Sequence, residues 1–277
     1  MIRPVQNQRS GGAAGSGGAS SPVAGRTGLV TGAGYGLGRA IALALAGAGA
    51  RTILVARRRQ LLEETAALIA GSGAAHPARV EVCDVSDAAA VGALAARVAG
   101  EGVSILINNA GIAGPVKPLV EIEPEEWDEV FDANVRSTYL MCRAFIPAME
   151  AAGRGDVVNL ASVSGKRPLA RRTPYVASKL AIIGLTRTLA FEVGPNGVSV
   201  NTLSPGPVRG PRMERNFRLE AERTGTTPEA AERAFTSRAA LERLVEEEEV
   251  AAAVLAMLAM TGLCGADIDL SAGMIAP

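Results

Sequence analysis

The chain has 277 residues, 48% hydrophobic and 20% charged, and its 28 basic and 28 acidic residues cancel to a formal net charge of zero. This is the composition of a soluble globular protein long enough to bury a large core as one domain, and the charge balance predicts neither a nucleic-acid nor an anionic-membrane partner. Three widely spaced cysteines and a single histidine, His76, argue against a disulfide framework, a Cys/His metal centre and histidine-based catalysis; no metal is expected, and a reducing, cytoplasmic setting is.

The first 25 residues stand apart. Ser10–Ser21 contains only Ser, Gly and Ala, so residues 1–25 are expected to be a disordered tail; no apolar run in them has the length of an export signal. From Arg26 onward, short strand-like runs alternate with helical ones. Gly28–Thr31 predicts a strand, followed by a glycine-rich turn and a helix over Arg39–Ala48. Strand Thr52–Ala56, helix Arg58–Ala70, strand Arg79–Cys83, helix Asp87–Ala99 and strand Ser104–Ile107 come next. Pro124 opens a long helix running to Ala152, with Glu125 and Glu126 at its positive dipole end. Strand Asp156–Leu160, helix Tyr175–Val193 and strand Ser199–Leu203 follow. A charged helical region, Arg212–Arg238, then helix Glu246–Met260 and strand Asp267–Leu270 close the series. Continuously apolar strands alternating with helices predict an α/β fold with a parallel sheet covered on both faces. Neither Ile41–Ala50 nor Val250–Met260 is long enough to cross a bilayer.

Two stretches carry chemistry. Thr31-Gly32-Ala33-Gly34-Tyr35-Gly36-Leu37-Gly38 joins the first strand to the first helix, where backbone N–H groups and the helix dipole can hold a pyrophosphate. Its spacing is Gly-x-x-x-Gly-x-Gly, with Leu37 at the place where the commoner Gly-x-Gly-x-x-Gly has its last glycine; a purely structural turn is the alternative. Farther on, Tyr175 and Lys179 lie four residues apart, one helical turn, and so face the same space. An ammonium at that distance favours phenolate by roughly 3–4 kcal/mol before screening, which makes a tyrosine a usable acid/base near neutral pH. Ser162 lies just past a strand end, where a sheet of this kind presents side chains to a ligand. The alternative for the pair is a buried aromatic beside a solvated lysine.

In this order the residues resemble the short-chain dehydrogenases/reductases, from Arg26 to the end of the chain. The matching motifs are Thr31-Gly32-x-x-x-Gly36-x-Gly38, Asp84-Val85, Asn108-Asn109-Ala110-Gly111, Asn134, Ser162, Tyr175-x-x-x-Lys179 and Pro205-Gly206. The resemblance implies a single-domain, doubly wound Rossmann fold with a seven-stranded, mainly parallel sheet, and hydride transfer between a nicotinamide and a carbonyl or alcohol carbon. It further implies that Tyr175 exchanges a proton with the substrate oxygen, Ser162 positions that oxygen, Lys179 bonds the nicotinamide ribose, and Asn134 holds a water on a proton path. Asp84 with Val85 would contact adenine, Asn109, Ala110 and Gly111 would line the adenosine and ribose side, and Pro205, Gly206 and Val208 would face the carboxamide. Gly210 stands where the family often has a threonine, so that residue's hydroxyl contact is missing here.

At the end of the second strand Ala56 occupies the place of an acid that would bind a free ribose 2′-hydroxyl, and Arg57 follows it. An arginine there favours a 2′-phosphate, so NADP(H) is expected over NAD(H). Lys166, Arg167, Arg171, Arg172, Arg209, Arg212 and Arg215 surround the catalytic segment; either they receive an anionic substrate or they are an arginine-rich surface. The charged stretch at about 207–243, with Met213, Phe217 and Phe235 as inward anchors, is expected to be a substrate lid. Proteins of this kind pair the helices carrying Asn134 and Tyr175 across a two-fold axis, so a homodimer or homotetramer is expected, although Ile182, Ile183, Leu185 and Leu189 can equally pack on the chain's own sheet. Three readings remain: a carbonyl reductase or alcohol dehydrogenase, its specific form as a 3-oxoacyl-carrier reductase, and a non-catalytic dinucleotide-binding sensor or scaffold.

Overall fold

Every residue of the run Thr27–Thr31 is buried, and this strand, β1, lies inside the sheet with a strand on either side. A computed structural model describes residues 21–274. After β1 come α1 (Gly36–Gly47), β2 (Arg51–Ala56), α2 (Arg59–Gly71), β3 (Arg79–Val82), α3 (Ala88–Arg97) and β4 (Val103–Asn108). Next are α4 (Pro124–Phe131), a π turn over Asp132–Arg136, α5 (Ser137–Ala151), β5 (Gly155–Leu160), α6 (Thr173–Val193) and β6 (Val198–Pro205). The chain continues through α7 (Pro211–Thr224), α8 (Pro228–Thr236), α9 (Glu247–Ala259) and β7 (Asp267–Leu270). The seven strands lie in the order β3-β2-β1-β4-β5-β6-β7 and every neighbouring pair is parallel, where the sequence predicted a mainly parallel sheet.

Alternate strand residues point to opposite faces. Val30, Ile105 and Ile107 pack with Ile41 and Leu45 of α1, Leu62 and Ile69 of α2, and Val250 and Val254 of α9. On the other face, Leu29 and Leu106 meet Val91 and Leu94 of α3, Met141 and Phe145 of α5, and Ala190 of α6. The order reverses between β1 and β4, so the loops after these two strands open a crevice at their carboxyl ends.

Several predicted boundaries move, for local reasons. Helix α1 starts at Gly36, three residues before Arg39, because Tyr35 is extended and Gly36 to Gly38 already wind as helix. The single helix predicted over Pro124–Ala152 is interrupted by the π turn, which contains Asn134. The charged region predicted over Arg212–Arg238 is two helices, separated at Gly225, which takes the left-handed conformation that ends α7. The tail boundary also shifts: Val23 is fully buried and Gly25 N–H donates to Gly49 at 2.9 Å, so Ser21–Gly25 belongs to the folded body. The Gly/Ser/Ala-rich stretch up to residue 20 lies outside the described residues.

Candidate active site

The glycine turn is braced from behind. Arg39 Nη2 donates to Gly34 O at 2.5 Å, and Thr65 Oγ1 donates to Ala33 O at 3.0 Å, so α1 and α2 together fix two carbonyls of the turn. Thr31 Oγ1 accepts from the N–H groups of Asn109 and Ala110, both at 3.0 Å, and Asn109 Nδ2 donates to Thr31 O at 2.9 Å. The Asn109 side chain therefore ties β4 to β1. Gly38 permits this closeness: a Cβ there would lie 2.2 Å from Gly32 O. In front, Tyr35 gives α1 no side-chain cap, which leaves the first N–H groups of the helix to an outside acceptor. A Cβ on Gly36 would meet only Glu247 Oε1, at 3.6 Å. An uncapped helix start behind open ground fits a diphosphate group.

Tyr175, Lys179, Asn134 and Ser162 come from three different parts of the chain. Tyr175 is half-buried in the first turn of α6. Lys179, 6% exposed, donates from Nζ to Leu160 O at the end of β5 at 2.8 Å, and its Nζ lies 5.8 Å from the centre of the Tyr175 ring. Asn134 is fully buried; its Oδ1 accepts from Ile112 N at 2.7 Å, and its Nδ2 donates to Ile112 O at 3.0 Å and to Ser178 Oγ at 2.9 Å. Ser178 in turn donates to Tyr175 O at 2.8 Å, so the π turn and α6 are locked together beneath the tyrosine. Gly111 lies against both: a Cβ on it would stand 2.7 Å from Asn134 Oδ1 and 3.7 Å from Lys179 Nζ. Ser162 Oγ accepts from Ser164 N at 3.1 Å, which occupies a lone pair and leaves the O–H to donate. The turn it starts packs on α6, since a Cβ on Gly165 would come within 3.0 Å of the Lys179 and Leu180 backbone. Beneath lies a buried polar chain, Asn108 Nδ2 to Asn159 Oδ1 at 2.8 Å and Asn159 Nδ2 to Thr186 Oγ1 at 2.9 Å, which holds β4, β5 and α6 in register.

The outer residues are more exposed. Asp84, just before Val85 beyond β3, accepts from Ser86 Oγ at 2.7 Å and Ser86 N at 3.0 Å, and these bonds hold its carboxyl below the usual range. Arg57 lies 3.9 Å from it, both side chains largely in solvent. The Arg58 guanidinium sits over the Tyr35 ring, 5.2 Å from its centre, so a second cation flanks the glycine turn. Leu37 follows Gly36 in the first turn of α1, half-buried against the core. Across the crevice, Gly206 N–H donates to Leu270 O at 2.8 Å, Val208 bridges to Val245, and Pro207 O accepts from Val245 N at 3.0 Å. Glu247 lies between the two sides, its Oε1 3.5 Å from where a Cβ on Gly210 would be; burial first, then Glu248, pushes its carboxyl up. Met213 and Phe217 of α7 pack with Ala231 of α8 and with Phe235, the two rings edge-on at 5.6 Å, in a small core separate from the main ones.

Arg39, Arg58, Thr65, Ser178 and Glu247 did not emerge from the sequence as site residues. Only Arg58, in the run Arg57-Arg58-Arg59, carried a visible signal, its charge beside the expected phosphate position.

Fold and site define a doubly wound α/β oxidoreductase with its polar cluster beside a glycine turn. A family model described as short chain dehydrogenase matches residues 26–222, and the chain belongs to that family. It is 40% identical over 240 residues to a protein of Streptomyces violaceoruber named as ketoacyl reductase 1 of the granaticin polyketide synthase, covering 85% of this chain and 86% of the relative. Among solved structures, L-sorbose reductase of Gluconobacter frateurii, complexed with NADPH and L-sorbose, superposes with a TM-score of 0.88 at 26% identity, over 94% of this chain and 100% of the other. An NAD+-bound xylitol dehydrogenase superposes with a TM-score of 0.83 at 30% identity, over 91% and 99%.

Proposed function

We propose that the chain is an NADP(H)-dependent enzyme that interconverts small carbonyl compounds and secondary alcohols, with Tyr175 as its general acid/base. The observation that carries this reading is the cluster itself: a lysine ammonium fixed on Leu160 O, close to the Tyr175 ring, with Asn134 and the Ser162 turn packed around it. The bound nicotinamide supplies or accepts the hydride. Tyr175 gives its phenolic proton to the substrate oxygen during reduction and takes it back during oxidation, a task the neighbouring ammonium eases by stabilising phenolate. Ser162 donates its O–H to that same oxygen. Lys179 also bonds the cofactor ribose, and Asn134, held rigid by Ile112 and Ser178, serves the proton path behind it.

Asp84 and Val85 receive the adenine, Asn109, Ala110 and Gly111 line the ribose side, and Pro205, Gly206 and Val208 hold the carboxamide. The 2′-phosphate is taken by Arg57 with Arg58, whose position over Tyr35 strengthens the preference for NADP(H). The relatives include both an NADPH complex and an NAD+ complex, so NAD(H) is the competing cofactor. The hairpin α7–α8, with its own small core, is the lid over the substrate. A 3-oxoacyl-carrier reductase is the second reading, favoured by the likeness to the granaticin ketoacyl reductase along most of the chain.

The test uses a panel of ketones, 3-oxo thioesters, keto acids and sugar alcohols with NADPH absorbance as the readout. Wild type is expected to turn over at least one of them, and Tyr175→Phe to keep NADPH affinity while losing about 10²–10⁴-fold in rate. A variant as fast as wild type removes Tyr175 from the chemistry.

A further inference from the structure

Three of the basic residues around the mouth of the crevice have partners in the protein. Lys166 Nζ lies 2.8 Å from Asp267 Oδ2 and also bonds Asp269. Arg209 bridges Glu232 and Glu246, each at 3.0 Å, and Arg172 donates to the carbonyls of Ala113 and Gly114 at 3.0 and 3.2 Å. Arg167 is different. It stands five residues beyond Ser162, and its Nε is enclosed by protein with no hydrogen-bond partner among the described residues. Among the described residues its Nη2 reaches only the Met274 thioether, at 3.5 Å, a weak acceptor.

The charge that acts on it is of the same sign. Arg238 has its guanidinium over the Phe235 ring, 4.5 Å from the centre, and donates from Nε to Phe235 O at 3.3 Å. Burial first, and then the Arg238 charge, push the Arg167 pKa down, and among the described residues neither arginine forms an ion pair. A buried guanidinium donor without an acceptor forfeits its hydration and gains nothing in return. Ala240 N–H donates to Gly273 O at 3.3 Å, which sets the segment after Arg238 beside Met274, the residue that Arg167 touches; two cations flanking one strand end, one with an unused N–H, leave a place suited to an anion. Arg167 follows β5, Arg238 follows α8 in the connection from β6 to β7, and Met274 follows β7, so all three lie beyond the carboxyl ends of strands, where sheets of this kind bind ligands.

We propose that Arg167 and Arg238 form a subsite for an anionic group on the substrate, so that the carbonyl compound or alcohol carries a carboxylate or a phosphate away from its reacting carbon. The guanidinium fork suits either group through paired N–H donors. Arg238 belongs to the lid connection and Arg167 to the body, so an anion between them also draws the lid down. The substrate half of this proposal rests on the oxidoreductase reading above, whereas the anion site itself is tested by binding alone.

Thermal unfolding is measured with inorganic phosphate against chloride at equal ionic strength. Phosphate is expected to raise the melting temperature of wild type, and to do so less for Arg167→Gln and for the more exposed Arg238→Gln, which guards against a folding defect at the half-buried Arg167. Turnover is then compared for keto acids against their methyl esters, and for a 3-oxobutyryl pantetheine thioester with and without its 4′-phosphate; the first pair reports a carboxylate on the substrate, the second a carrier phosphate. In one of the pairs the charged member is expected to lead by about ten- to hundredfold in kcat/KM, with the ratio falling towards one in both variants and partly restored in Arg167→Lys. Equal protection of wild type and variants by phosphate, or ratios that the substitutions leave untouched, would overturn the subsite. If no substrate reacts and yet the phosphate effect is lost in both variants, the anion site stands and the oxidoreductase reading falls.

Discussion

Arg57 and Arg58, adjacent in sequence, turn to different partners. Arg57 leaves the end of β2 towards Asp84, while the Arg58 charge is drawn over the face of the Tyr35 ring. The Arg57–Asp84 pair is exposed and contributes little stability, so Arg57 can exchange its partner for a phosphate at small cost. Replacing Arg57 by Asp is expected to weaken NADPH binding by about ten- to hundredfold and to leave NADH nearly unchanged, followed by fluorescence titration. An equal loss for both cofactors would show that Arg57 does not read the phosphate. Tyr175, Lys179, Ser162 and Arg57 were legible in the sequence because each owes its position to one helix or one strand end. Arg39, Thr65 and Ser178 were not, because they act on backbone carbonyls or side chains that only the folded sheet brings near. The mouth arginines were legible as a group and not singly: what sorts Lys166 from Arg167 is whether a distant carboxylate on β7 reaches it.

Helix α9 opens with a reciprocal cap. The Glu246 side chain receives the Glu249 N–H, and the Glu249 side chain accepts from Glu246 N at 2.9 Å while pairing with Arg243 at 2.6 Å. The Arg243 bond first, and then the Glu246 N–H, lower the Glu249 carboxyl from 4.5 to about 2. A depressed carboxylate stabilises the fold fully above its unfolded value and loses that contribution as pH falls through the folded one. Glu249→Ala is therefore expected to lower the melting temperature by about 2–4 °C at pH 7, as a lost cap of ~1 kcal/mol would. The gap to wild type should close between pH 4.5 and 2; a gap constant over that range would assign the effect to packing instead. The helix start at Pro124 and the strand cores could be read from composition and spacing. The π turn could not: Asp132–Arg136 has ordinary helical residues, and the extra residue in its winding is set by contacts of Asn134 with Ile112 and Ser178 that lie far away in sequence.

The parallel order of all seven strands sends every crossing loop of one kind to the same end, which is why the candidate site residues lie on the segments that follow β1 to β6. Of the residues named for assembly, Ile182 and Ile183 are 2% exposed and belong to the chain's own core, and Leu185 and Leu189 are half-buried; Leu180 and Phe191 on α6 and Tyr139 on α5, which the sequence did not single out, face outward. Phe191, 86% exposed, is the apolar side chain a second copy would cover. Phe191→Asp is expected to reduce the mass measured by light scattering from that of an oligomer to a smaller species of unchanged circular dichroism. An unaltered mass would remove this helix face from any interface.

The packing of α9 on α1 joins the two ends of the sequence: Val250, Val254 and Met257 share a core with Ile41 and Leu45. A ribosome adding about 5–20 residues per second needs roughly 10–40 s to travel from the first of these helices to the last. Manufacture thus runs counter to use, since the cradle for phosphate emerges early and gains its rear wall near the finish. A product stopped after β6 would carry almost all the polar cluster and still show an apolar trough along α1, the type of half-built species that chaperones retain.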